Sequence, residues 1–409
     1  MNTAPQTEEK NDLGYFRYLL MLGHLCVDIN QGALPAILPF LIAAKGLNYA
    51  SAAALVFASN FVSSIVQPLF GYLGDKASRP WFMCLGLLLA GSGIAMIGFL
   101  DEYRLIFFAV MISGLGIAIF HPEGGRMANR VSGKDKSTSM SIFSVGGNLG
   151  FAVGPLIVSI AMSGYGIKGS FALMFPAYIM AAVLLIMIRR LPAASLQTSF
   201  PLQTSAPLQT ETAGQTEAPA PAQKDNWPAF VRLAAFVLCR ATVTFGMTTF
   251  IPLYWVGVLG QSQSTGSMAL SLYSLISAAS TLIGGRLADR YGFNKIIRIS
   301  VSTFVPFLFL FTLVGNLHLA TFMLIPMAFA LNLCFSTMVT IGQSFLPNHI
   351  GFASGVTMGM GISVGGVSAP ILGRVSDLYG LTAAFYVIIA LACLTALLGY
   401  LVPRHQKSN

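Results

Sequence analysis

Ionisable side chains within apolar sequence are where this chain has its chemistry. His24, Asp28 and Gln31 follow one another at steps of four and three, so a helix places all three on one face. Arg240 lies in a second apolar stretch, and His121-Pro122-Glu123 in a third. Burying a charge in lipid is costly, so such groups face protein or a water-filled cavity. A carboxylate and an imidazole in that setting exchange protons, whereas a guanidinium keeps its charge and suits an anion. Two readings stand for Asp28 and Arg240: substrate or proton handling, or a structural ion pair. Two stand as well for His121 and Glu123. They form a proton relay, with His121 the deeper, or Glu123 braces the helix end against Arg126 or Arg130. Histidines in separate helices argue for no metal, and the expected energy source is a proton gradient rather than a cofactor.

Further polar and aromatic residues could complete a pocket. Phe245, Tyr254 and Trp255 could line an amphipathic site, although the last two are more often interfacial belt residues. Asn332, Ser336, Thr340 and Gln343 recur at steps of three or four, a stripe that belongs against protein or water. Hydrogen bonding between helices is the alternative reading of that stripe.

The elements that must position these groups follow from composition. Of 409 residues, 55% are hydrophobic and 9% charged, against about 25% charged in soluble domains. That excludes an ordinary soluble enzyme. Twelve apolar segments are expected as spanning helices at 16–44, 50–73, 81–100, 104–124, 138–163, 171–190, 229–257, 266–286, 295–315, 319–343, 353–373 and 382–402. Ten-residue alternating pieces are missing, which excludes a barrel. A net charge of +9 invites nucleic acid, but the charges sit between apolar segments rather than on one face. Five cysteines inside apolar stretches, with no C-x-x-C, read as free thiols. The first segment is too long for a signal peptide and lacks a basic leader, so no cleaved segment is expected.

Residues 191–228 carry six prolines and a Leu-Gln-Thr triplet repeated at 196, 202 and 208. Such a composition forms no packed core, so it reads as a flexible cytoplasmic linker between six-helix bundles at 1–190 and 229–409. Basic residues such as Lys76, Arg79, Arg126, Arg130, Arg286 and Arg290 gather on one side, against Lys45, Arg104, Lys168 and Arg374 on the other. The positive-inside rule then puts both termini in the cytoplasm.

The halves echo each other. Gly71-Tyr-Leu-Gly-Asp75-Lys76 and Gly285-Arg-Leu-Ala-Asp289-Arg290 share G-x-L-x-D-[KR] at an offset of 214, and Ser144-Val-Gly-Gly147 recurs as Ser363-Val-Gly-Gly366. Pro155 and Pro370 follow in order. The same offset carries Asp28 to Thr242, two positions from Arg240. On these motifs the chain resembles the major facilitator superfamily. Ile119-Phe-His-Pro-Glu123 with Arg126, and Ser141 through Pro155, are similar to its fosmidomycin-resistance-type exporters. The resemblance implies two pseudo-symmetric six-helix bundles, an all-α membrane fold with its site between them. It implies a conformational latch in Gly71, Asp75, Arg79, Asp289 and Arg290, in which Asp75 ties its loop to the start of helix 11 and favours the outward-open state. Gly146, Gly150, Gly154 and Pro155 resemble an antiporter motif, with plain helix packing as the alternative.

The expected function is secondary transport in the inner membrane: the expected partners are protons, lipid bilayer and a small-molecule substrate, with no nucleic acid, and the chain is expected to act as a monomer. Proton coupling is expected at Asp28, His24, His121 and Glu123. Substrate contacts are expected at Asp28, Gln31, Arg240, Phe245, Asn332, Ser336 and Thr340. Export of an amphipathic or anionic compound by antiport leads; uptake by symport and a transport-inactive receptor are the alternatives.

Overall fold

A computed structural model describes residues 6–76, 79–131, 136–190, 224–349, 352–353 and 355–403. Long apolar runs satisfy their backbone internally, which in lipid leaves the helix as the economical element. The helices are α1 Gln6–Lys45, α2 Tyr49–Lys76, α3 Trp81–Met96, α4 Tyr103–Arg130, α5 Lys136–Tyr165 and α6 Met174–Arg190. The second set is α7 Trp227–Gly257, α8 Gln263–Tyr291, α9 Phe293–Leu313, a divided α10 (α10a Leu317–Asn332, α10b Phe335–Phe345), α11 Gly361–Tyr379 and α12 Leu381–Leu401. Among the described residues, each of the twelve expected segments is largely helical.

Several boundaries differ from expectation. Helix α1 begins at Gln6, ten residues before the apolar run. Helix α7 starts at Trp227, inside the expected linker: Asn226 caps it by accepting from the Ala229 amide, and Pro228 occupies the first turn. The rest of the linker, 191–223, lies outside the described residues. Helix α11 runs on to Tyr379 and is entered through a π-helical turn at Gly355–Met360. The tenth span is not continuous, and its break matters below.

Packing shows how the bundles meet. Both described chain ends lie on one face, here the terminal face; the opposite side is the far face. Towards the far face a single apolar cluster runs through both halves, from Ile37, Leu41 and Val56 to Phe250, Trp255, Phe311 and Phe385. Towards the terminal face it divides in two. Phe16, Leu20, Met83 and Phe120 form one cluster, and Phe230, Phe236, Ile297 and Met338 the other. Across the far half the bundles also exchange hydrogen bonds: Ser267 Oγ donates to the Ala36 carbonyl (3.1 Å) and Ser271 Oγ to that of Ala152 (2.6 Å). The molecule is therefore shut at the far face and parted at the terminal face.

Candidate functional site

A cavity of about 330 Å³ opens between the bundles at mid-depth. Its walls are Asp28, Gln31 and Asn60 from α1 and α2, His121 and Asn148 from α4 and α5, and Thr244, Phe245, Tyr273, Ser277 and Asn332 from the second bundle.

The first wall is built on close helix approach. A Cβ on Gly150 would stand 2.7 Å from Asp28 Cβ and from the Leu25 carbonyl, and those on Gly146 and Gly154 would strike the Met21 and Ile29 carbonyls. This ladder lets α5 lie directly against α1, as small residues do in membranes. Gly147, beside the ladder, leaves room for the functional head groups: a Cβ there would be 2.6 Å from His24 Nε2 and 2.7 Å from Asp28 Oδ2.

Into that space α1 and α4 project three titratable groups. His24 Nε2 is 3.2 Å from Asp28 Oδ2, and His121 Nε2 is 3.2 Å from Asp28 Oδ1. His24 Nδ1 is 2.8 Å from the Phe143 carbonyl, and His121 Nδ1 is 2.8 Å from the Ile117 carbonyl. The His24 ring also stacks on Phe143 at 4.1 Å and meets His121 edge-on at 5.0 Å. Because a carbonyl only accepts, each Nδ1 carries a proton, and each Nε2 is turned towards one carboxylate oxygen. With both Nε2 atoms bare, lone pairs would oppose lone pairs. A proton on Nε2 relieves that repulsion. Asp28 is 3% exposed, so water does little to screen it. The three groups offer donor atoms within 4.8 Å of one another, and two imidazoles with a carboxylate are ligand types that divalent cations also use.

Glu123, expected beside His121 in coupling, points elsewhere. It pairs with Arg126 (2.5 Å), whose Nη2 donates to the Gly71 carbonyl (3.1 Å), so this acid braces α4 against the end of α2. Gln31 lies on the cavity and donates to Asn60 Oδ1 (3.1 Å).

Arg240 occupies comparable depth in the second bundle but forms no pair with Asp28 among the described residues. Its Nε and Nη2 donate to the Leu331 carbonyl (3.0 and 2.9 Å), and Nη2 reaches Asn332 Oδ1 (3.3 Å). Phe335 covers the guanidinium at 5.6 Å. Leu331 and Asn332 end α10a, where helix carbonyls lack partners and carry partial negative charge. Arg240 thus holds the break in the tenth span, and it sits behind the cavity wall rather than on it. Asn332 passes the contact on, donating to Ser277 Oγ (2.8 Å). The hydroxyls beside it bond backwards along their own helices: Thr244 to Arg240 (3.0 Å), Thr248 to Thr244 (3.1 Å), Ser277 to Tyr273 (2.8 Å) and Thr281 to Ser277 (3.0 Å).

The remaining expectations divide. Phe245 and Asn332 line the cavity. Ser336 donates to the Thr281 carbonyl (3.2 Å), an interhelical bond, and Thr340 is exposed and bonded to its own helix. Tyr254 and Trp255 are neither pocket nor belt. They are buried in the far apolar cluster against Phe311, since the bundle closes over them there. Of the latch residues, Gly71 receives Arg126, Arg79 lies over the Phe82 ring, and Asp289 and Arg290 are exposed. The side chain of Asp75 lies outside the described residues. Tyr273, Ser277, Asn60 and Gly147 were missed. The doubled glycine of Ser144-Val-Gly-Gly147 was the available signal for the last.

The family model described as Major Facilitator Superfamily matches residues 20–370. The chain is similar to a fosmidomycin resistance protein of Escherichia coli (strain K12), 27% identical across 95% of this chain and 93% of the relative. It is also similar to the uncharacterized MFS-type transporter YfnC of Bacillus subtilis (strain 168), 30% identical across 98% of this chain and 96% of that one. Its fold matches a bacterial homolog to the human lysosomal transporter Spinster, in an inward-facing and unoccupied conformation, with a TM-score of 0.79 and 14% identity, covering 99% and 100% of the two chains.

Proposed function

The chain belongs to the major facilitator superfamily, a multi-pass membrane transporter, and on that premise we propose that it is a proton-coupled antiporter exporting a small amphipathic or anionic compound by alternating access. With both termini in the cytoplasm of a cell bounded by the inner membrane, as the basic residues favour, the terminal face is the cytoplasmic one and the cavity stands open to the cytoplasm.

The observation that carries the reading is the His24–Asp28–His121 cluster on the cavity wall. Its bare and protonated forms differ in charge beside the substrate, so protons and substrate bias one two-state equilibrium through differential affinity. Loss of protons leaves the carboxylate as the local charge. Loading both imidazoles makes the cluster cationic. An amphipathic compound that binds the unloaded form is exchanged for protons. The resistance protein among the relatives favours this direction. An anion that binds the loaded form travels with protons instead, and His121 on the wall is what favours that second reading.

Proteoliposomes carrying a pH-sensitive dye separate them. Adding the transported compound should release protons from the binding side under antiport and take them up under symport. Compound movement with no proton movement under an imposed gradient, at any pH, would remove the cluster from coupling. A chelator such as EDTA should leave flux intact; its abolition, with rescue by a divalent cation, would put a metal in the protons' place.

A further inference from the structure

Helix α2 begins at the far face with four amides that have no partner in their own helix. Asn48 settles two of them: its side chain accepts from Ser51 N (2.8 Å) and its carbonyl from Ala52 N (3.0 Å). The other two are taken by the opposite bundle. Tyr49 N donates to Asp377 Oδ1 (2.7 Å) and Ala50 N to Asp377 Oδ2 (3.1 Å). One carboxylate thus bridges the first two amides of α2, at the positive end of that helix, where an anion is stabilised.

One turn earlier on α11, Gly373 makes the approach possible. A Cβ there would stand 2.6 Å from Ala50 Cα and 2.7 Å from the Tyr49 carbonyl. The pair has a sequence echo. Gly373-Arg-Val-Ser-Asp377 repeats the spacing of Gly285-Arg-Leu-Ala-Asp289 and Gly71-Tyr-Leu-Gly-Asp75. The two earlier copies end α8 and α2 at the terminal face. The third ends α11 at the far face, where the bundles touch.

We propose that Gly373 and Asp377 form a far-face latch, with Asp377 a positioning residue that caps α2 across the bundle interface and sets how often the far face opens. When the bundles part there, Tyr49 and Ala50 keep their amides and water replaces the carboxylate. The contact is therefore reversible, unlike a packed apolar seam. The inference rests on the alternating-access reading but not on protons.

The test uses the full chain in oriented membranes with Ala278→Cys as a reporter on the cavity wall, labelled by a membrane-impermeant thiol reagent from either face. Labelling is taken relative to the chain lacking that cysteine. Asp377→Asn should raise far-face labelling and lower terminal-face labelling, by about fivefold for a lost helix-end charge contact. Ala50→Pro removes one amide donor in the first turn, where that amide has no partner in its own helix, and should produce the same shift. Both changes together should do no more than either alone. A shift absent at both faces, an increase at both, or additive effects would overturn the latch. A reporter in the unaltered latch that reacts from one face only, with and without transported compound, would instead sink alternating access itself.

Discussion

The two bundles bring ionisable groups to similar depth and use them in opposite ways. In the first, Asp28 faces two imidazoles, each within 3.2 Å of one of its oxygens, and the cluster fronts the cavity. In the second, Arg240 is spent on the open end of a broken helix, behind the wall. Repeat symmetry therefore conserves position without conserving task. A titratable trio can report protonation to a substrate, whereas a permanent cation bonded to carbonyls can only hold shape.

The sharpest way to break that contrast is Asp28→Asn. It should cut proton-coupled flux by about 100-fold, on the scale of losing a proton-transfer group, while thermal stability in detergent stays near that of the parent, since two neutral imidazoles need no counter-charge. Coupled flux persisting under an imposed pH gradient would move the proton site elsewhere. Arg240→Met should do the reverse. It strands the Leu331 carbonyl and Asn332, costs about 3 kcal/mol of stability through lost charge-assisted bonds, and leaves the pH dependence of residual flux unchanged; an altered pH profile would make Arg240 part of the coupling machinery. Gly147→Ala should cost about 1–3 kcal/mol by overpacking against His24 and Asp28, with a displaced pH midpoint as its signature. Gly125→Ala, with nothing within 4 Å of the added methyl, should change stability by no more than about 1 kcal/mol, in the direction of a better helix former. A loss there equal to that at Gly147 would show general intolerance in the first bundle and not a shaped site.

Much of this was legible from residue order, and the remainder shows what order leaves out. Apolar run length located every span because lipid imposes one minimum on all of them. The interruption at Leu333-Cys334 has no such signature: neither residue is glycine or proline, and the carbonyl at the break is bonded by a guanidinium from another element. His24 and Asp28 were paired by helical periodicity. His121 joined them only through the packing of α4 on α1, which sequence spacing does not encode. Arg240 failed as a partner for Asp28 because equal depth in two helices is not proximity. Tyr254 and Trp255 were ambiguous by type, since the same amphipathic rings serve a belt, a pocket or a core.

The backward bonds of Thr244, Thr248, Ser277 and Thr281 have a consequence for what enters. Each hydroxyl has committed its hydrogen to a helix carbonyl, so a guest meets the lone pairs and must bring its own hydrogens. Amines, amides and sugars satisfy such a lining; a bare oxyanion is repelled along it and must find its donors elsewhere on the wall, at His121, Asn60, Asn148 or Tyr273.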